Sequence, residues 1–356
     1  MTDFGHRFDP ALAEVHPSVR AALVEAAGTS PELADQALTA VSPHLQALFG
    51  TRQLVLTLPA PFRLLREMAL HGTIRQRAMV LVSGPDGEEL ARTCEALGRD
   101  VIRAAVAPGR TLDPGQLSRF LAPPVVDTVV LAHVESGTGI RAPLAELAAV
   151  VRTRPDLLLF VDARHSLGAE ALASDAWGLD FVCGASEGPL GLMPGHSFAL
   201  LSPRWLERAR ADALRGVGLD LVAHHDALAR GQQLLPSPPP LTMALVRQLT
   251  RIVAEEGLER RGARYRDFRA RLEQWAVRCG WVRLVAPAER AAAAVTVLEF
   301  DAGPEVSGLR DRLHASGWLV GAGLTGSQLT IGHMGDHEPA HLEALLAAIA
   351  GLLTPP

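Results

Sequence analysis

Short apolar runs alternate with stretches of helical periodicity along most of the chain. Ala78–Val82 reads as a buried strand, since it is apolar without a polar break. A turn at Ser83-Gly84-Pro85-Asp86-Gly87 follows, and then a helix over Glu88–Leu97. Further strands are expected at Val126–Val134, Leu157–Val161, Phe181–Cys183 and Phe198–Leu201, the first two separated by a helix over Pro143–Arg152. This βαβ rhythm predicts an α/β domain whose central sheet is mostly parallel and covered on both faces. Ligand sites in such sheets lie at the carboxyl ends of the strands. Upstream, residues 11–50 read as two helices, and Ser30-Pro31-Glu32-Leu33 has the cap-then-proline order of a helix start.

The clearest boundary is Leu234–Pro240, where Pro236, Pro238, Pro239 and Pro240 preclude helix. A long helix over Leu241–Arg278 is expected beyond it. Strands at Val295–Phe300, Trp318–Val320 and Gln328–Ile331 then alternate with helices at Glu305–Ser316 and Glu338–Leu352. The expected organisation is a large domain over residues 1–235, with an N-terminal helical arm, and a smaller C-terminal α+β domain over 236–356.

Composition adds one strong constraint. Lysine and arginine together number 34 in 356 residues, and every one of them is arginine. The net charge is -5 and the arginines are scattered, with no basic stripe for nucleic acid. No apolar run approaches membrane-spanning length, and the polar start Met1-Thr2-Asp3-Phe4 does not read as a signal peptide. Cys94, Cys183 and Cys279 are far apart and read as reduced thiols of a cytoplasmic protein.

Four stretches, in order, resemble the class V, fold type I aminotransferases, the group of the alanine–glyoxylate and serine–glyoxylate enzymes. His133-Val134-Glu135-Ser136-Gly137-Thr138-Gly139 is similar to the family's His-x-Glu-Thr-Ser-Thr-Gly loop. Phe160-Val161-Asp162-Ala163-Arg164-His165-Ser166-Leu167-Gly168 resembles its Val-Asp-Ala-x-Ser-Ser-Leu-Gly segment. Asp175-Ala176-Trp177-Gly178-Leu179-Asp180 looks like the Trp-Gly-x-Asp that leads into the lysine loop, and Ile331-Gly332-His333-Met334-Gly335 like the family's C-terminal motif. The resemblance implies a fold type I large domain, pyridoxal phosphate (PLP) chemistry and a dimer with sites at the subunit boundary.

Carried over residue by residue, much of that machinery is missing. The family holds its cofactor as a Schiff base on lysine; the matching loop here is Ala185-Ser186-Glu187-Gly188, which places Gly188 at the lysine position. Arginine cannot substitute, because its guanidinium stays protonated. The Ser-Gly-Thr phosphate cup reads Pro59-Ala60-Pro61-Phe62, where two prolines lack an N–H. The ring-stacking aromatic falls on Asp86, and the substrate-binding arginine on Thr330. Asp162, which the family uses for the pyridine nitrogen, survives with Glu135 and Thr138.

These losses lead to the expectation that PLP is not bound and that no metal is held. The chain is then a non-catalytic structural or regulatory subunit or a ligand-binding homologue, either a homodimer or a heterodimer with an active paralogue. The alternative is a repurposed PLP-independent enzyme using Asp162, His165 and Glu187, with Glu135 and Arg164 as further candidates. Arg164 and His165 either form a new charged pair facing the old cavity or neutralise Asp162 and Glu187 to close it. Two weaker patterns remain. Gly184-Ala185-Ser186-Glu187-Gly188 fits the nucleophile-elbow spacing, but Pro189 argues against the helix it needs. His224-His225-Asp226 reads as a solvated helix face rather than a metal site.

Overall fold

A computed structural model describes residues 6–11, 13–122, 126–211, 218–301 and 308–353. The chain opens with β1 (His6–Phe8), α1 (Pro17–Glu25), α2 (Pro31–Ala40) and α3 (Ser42–Phe49). It continues through β2 (Val55–Leu58), α4 (Phe62–Thr73), β3 (Arg77–Val82), α5 (Pro85–Ala96) and β4 (Asp100–Ala105). Then come α6 (Pro114–Phe120), β5 (Thr128–Ala132), a small hairpin of β6 (Val134–Glu135) and β7 (Ile140–Arg141), α7 (Leu144–Arg152) and β8 (Leu158–Asp162). The short α8 (Ser174–Trp177) leads to β9 (Phe181–Ala185), β10 (Ser197–Leu201), α9 (Pro203–Arg210) and α10 (Leu221–Ala229). Helices α11 (Pro239–Thr250) and α12 (Leu258–Cys279) connect to β11 (Val282–Leu284), β12 (Val295–Phe300), α13 (Leu309–Ala315), β13 (Trp318–Ala322), β14 (Gln328–Gly332) and α14 (Pro339–Leu353).

The large sheet has seven strands in the order β2-β10-β9-β8-β5-β3-β4. Its five neighbours from β9 to β4 pair in parallel, and β10 is antiparallel to both β9 and β2. Because side chains alternate across a strand, each central strand feeds two cores. Val129 and Leu131 of β5 and Leu159 and Val161 of β8 enter one layer. Val130, Leu158 and Phe160 enter the other. This is the α/β fold expected, with a mixed and mostly parallel central sheet and a C-terminal α+β unit.

Several local expectations need correction. Three helices occupy residues 11–50, because Ser42-Pro43 starts a new helix after Val41. The long helix over 241–278 is interrupted: a π-helical turn at Arg251–Glu256 and Gly257, at φ +84°, separate α11 from α12. The run Val126–Val134 gives a strand at Thr128–Ala132 and a separate two-residue strand at Val134–Glu135. Strands β2 and β4 and helix α4 escaped the sequence reading. Of the helix expected over Glu305–Ser316, residues 305–307 lie outside the described residues, and the remainder is α13.

The second sheet runs β1-β13-β14-β12-β11. Strand β1, from the opposite end of the chain, pairs in parallel with β13. The Phe8 ring stacks on His337 with centroids 3.9 Å apart, which seals this edge. An arginine network ties the two sheets together. Asp336, after β14, pairs with Arg251, and with Arg261 and Arg264 of α12 at 3.8 Å each. Arg261 also donates to the Pro189 carbonyl at 2.7 Å, so the 186–190 loop is held from the small-domain side.

Candidate functional site

The carboxyl ends of β3, β5, β8 and β9 converge, and the loops leaving them carry most of the residues singled out in the sequence. At the end of β8, Asp162 is buried. Its Oδ1 accepts the Arg164 backbone N–H at 2.9 Å. Facing its Oδ2 at 3.6 Å is Nη1 of Arg66, a residue the sequence reading did not identify. Arg66 comes from α4, is 4 % exposed, and is anchored through Nη2 to Glu89 Oε1 at 2.9 Å. Arg63 reaches the same Glu89 oxygen from solvent. Burial pushes the Asp162 carboxyl above its usual range, while Arg66 pulls it back.

The signal for Arg66 was present in the sequence. The buried residues of α4 are Phe62, Leu65, Arg66, Met68, Ala69, Leu70 and Thr73, so a charged residue sits in a mostly apolar stripe. A buried arginine in such a stripe needs a partner, and Asp162 and Glu89 are the partners.

Arg164 and His165 pair outward. The Arg164 guanidinium lies 3.6 Å from Glu187, and His165 Nε2 lies 3.9 Å from Asp86. Arg164 therefore serves Glu187 and His165 serves Asp86, while Arg66 attends to Asp162. Burial opposes ionisation of Asp86, yet His165 and the Ser136 N–H, donating at 2.6 Å, hold it below the usual carboxylate range. Phe62 opens α4 and is itself buried, and the guanidinium carbons of Arg164 and Arg66 lie 5.7 and 5.9 Å from its ring centre. Pro61 is the N-cap of α4 and offers no N–H, and the Ala60 carbonyl accepts from Ser197 Oγ at 2.7 Å.

Glu135 is a helix cap. Its carboxylate accepts the N–H groups of Asp86 at 3.0 Å and Gly87 at 3.1 Å, at the start of α5. Gly84 makes this approach feasible, since a Cβ there would stand 2.6 Å from Glu135 Cδ. Burial and the neighbouring Asp86 push the Glu135 carboxyl up. Thr138, by contrast, is fully buried with a hydroxyl that has no hydrogen-bond partner among the described residues. Gly188 sits at φ +72° in the loop after β9. Thr330 spends its hydroxyl on the Ala322 carbonyl at 2.9 Å within the small sheet.

The weaker patterns have structural uses. Ser186 donates to the Met193 carbonyl at 2.9 Å and accepts the His196 N–H, so it braces a loop. The segment after it is a single 3-10 turn, Gly188–Leu190, in place of the helix an elbow requires. The His224-His225-Asp226 stretch is not the solvated face expected: His224 is buried in α10, His225 is half-buried, and Asp226 is held by Arg210 at 2.8 Å. Asp180 accepts the Leu159 N–H at 2.9 Å, joining β8 to the start of β9.

No family model matches the chain. Among curated proteins, 2-aminoethylphosphonate–pyruvate transaminase of Pseudomonas fluorescens is 29 % identical over 282 residues, 78 % of this chain and 76 % of that one. Among solved structures, alanine–glyoxylate aminotransferase from Nostoc sp. superposes with a TM-score of 0.91 at 23 % identity, covering 99 % of this chain and 96 % of that one. Pyridoxamine–pyruvate aminotransferase from Mesorhizobium loti superposes with a TM-score of 0.86 at 21 % identity, covering 98 % and 92 %. The chain's homologues are class V aminotransferases, and its architecture is the fold type I PLP-transferase architecture.

This overturns one expectation. The missing lysine predicts that no cofactor is bound, yet the homologues are PLP-dependent aminotransferases. The lack of an amine removes one covalent mode of attachment and says nothing about non-covalent contacts. Asp162 and the unpartnered Thr138 hydroxyl fit such a group; the Pro61–Phe62 helix start offers it little, and Arg66 already faces Asp162.

Proposed function

We propose that this chain is a ligand-binding or regulatory homologue of the class V aminotransferases, which holds PLP by non-covalent contacts and does not transaminate. The observation that carries the reading is a chain without any lysine that still keeps Asp162 buried at the end of β8. Asp162 would hold the ring nitrogen and Thr138 would supply a hydroxyl. The cofactor's chemical contribution in the family is to act as an electron sink. Here no side-chain amine can exchange with it, and the ionisable groups nearby are engaged. Glu135 caps α5, Glu187 faces Arg164, and His165 faces Asp86. Those pairings also weigh against the repurposed-enzyme reading, which needs Asp162, His165 and Glu187 free to move protons.

The same reading includes assembly, as a homodimer or with an active paralogue. Leu64 on α4 beside the site, Leu33 on α2 and Leu324 after β13 are large apolar side chains left exposed in one chain.

Equilibrium dialysis against PLP, followed by borohydride reduction and peptide mapping, tests the proposal. Saturable, dialysable binding with no adduct on an internal residue is the expected result. An internal pyridoxyl adduct, or no binding at all, would refute it.

A further inference from the structure

We propose that Arg66 and a cationic ring nitrogen compete for Asp162, so that Arg66 closes the site until a ligand displaces it. This rests on reading the chain as a non-covalent binder. Asp162 is almost fully buried, and its Oδ1 takes one backbone N–H, from Arg164. Its Oδ2 faces Arg66 at 3.6 Å, a separation that gives charge compensation but lies beyond hydrogen-bond reach. The carboxylate is thus neutralised but under-bonded, which is the state in which a closer N–H⁺ donor gains most.

Arg66 is built to yield. Its stronger tie is to Glu89, at 2.9 Å, so it keeps a partner when it leaves Asp162. Its Nε is buried with no partner among the described residues, so the side chain is not locked by a full set of bonds. Buried charges are stable only when paired, and Asp162 can pair with Arg66 or with a protonated heteroaromatic ring, exchanging one cation for another. Arg66 is then a specificity-determining residue: a ligand without a cationic N–H cannot displace it.

Pyridoxamine 5′-phosphate, which needs no lysine, is the probe. Its binding should be measured by calorimetry on the full chain, as wild type, Arg66→Met, Glu89→Gln and Arg66→Met/Asp162→Asn. Arg66→Met should tighten binding at least about tenfold, and adding Asp162→Asn should abolish that gain. Glu89→Gln leaves Arg66 with Asp162 as its sole anion and should weaken binding several-fold, which keeps a test available if Arg66→Met folds poorly. Equal affinities for wild type, Arg66→Met and Glu89→Gln would overturn the competition while leaving non-covalent binding intact. Absence of binding in every variant would overturn both.

Discussion

The Arg66 guanidinium stands 3.6 Å from Asp162 Oδ2, and both side chains are almost fully buried. One comes from the first turns of α4 and the other from the end of β8, so a single ion pair joins the helix that opens the site to the strand that floors it. The resemblance of the segment around Asp162 to the class V aminotransferases implies that this carboxylate meets a pyridine nitrogen. Here the protein supplies its own cation at that place.

Breaking the pair from one side should therefore be costly. Arg66→Met leaves a buried carboxylate without its cation and should destabilise the fold by about 3–5 kcal/mol. Adding Asp162→Asn should recover most of that loss. Urea unfolding of the two singles and the double checks it. Simple additivity of the two losses would mean that the residues do not interact.

Glu135 should behave as a cap and leave ligand chemistry untouched. Glu135→Ala removes the acceptor for the Asp86 and Gly87 N–H groups and should cost about 1–3 kcal/mol. Hydrogen exchange should quicken in the first turn of α5. A variant as stable as the wild type would argue that water or another group satisfies that helix start.

The pattern of the chain shows plainly where the sheet lies and less plainly what fills the site. Strands β3, β5, β8, β9 and β10 are buried on both faces and announce themselves as apolar runs. Strand β4 is an edge strand whose Asp100 and Arg103 face solvent, so it has no such run. Helix α4 is obscured because its N-cap, Pro61, makes no side-chain cap and its buried stripe is broken by Arg66. The site motifs located Asp162, Glu135, Asp86 and Gly188 in sequence, but pairing is a property of space. Arg164 could have served Asp162 by adjacency; it turns to Glu187, and a residue from 96 positions upstream takes its place.

Acid should weaken the protein partly through its buried histidines. Burial depresses His196 to about 4, from an unfolded value of 6.5. The folded state then keeps it neutral while the unfolded state takes up a proton. Its stabilising contribution is complete above pH 6.5 and declines as pH falls from 6.5 toward 4, by about 1.4 kcal/mol per pH unit. His196→Gln should flatten the fall in stability over that window relative to wild type. An unchanged slope would place the proton uptake elsewhere.

Restoring the amine alone should not restore the reaction. Gly188 is at φ +72°, so Gly188→Lys carries about 1–2 kcal/mol of backbone strain. Its amine would still meet a site where Arg66 faces Asp162, and Thr330, which has no guanidinium, spends its hydroxyl on the Ala322 carbonyl. Alanine–glyoxylate and 2-aminoethylphosphonate–pyruvate assays should both remain at background. Activity in the single variant would mean that the Pro61–Phe62 helix start still holds a phosphate.

The central claim is that the family's fold persists here with ligand binding and without transamination. It is tested most directly by the amino-transfer half-reaction. Purified protein saturated with PLP is mixed with an amino donor, and conversion to pyridoxamine phosphate and keto acid is followed against free PLP at the same concentration. The account predicts bound cofactor and a conversion rate no greater than the free cofactor's. A rate that saturates with protein and exceeds the free rate by orders of magnitude would contradict it.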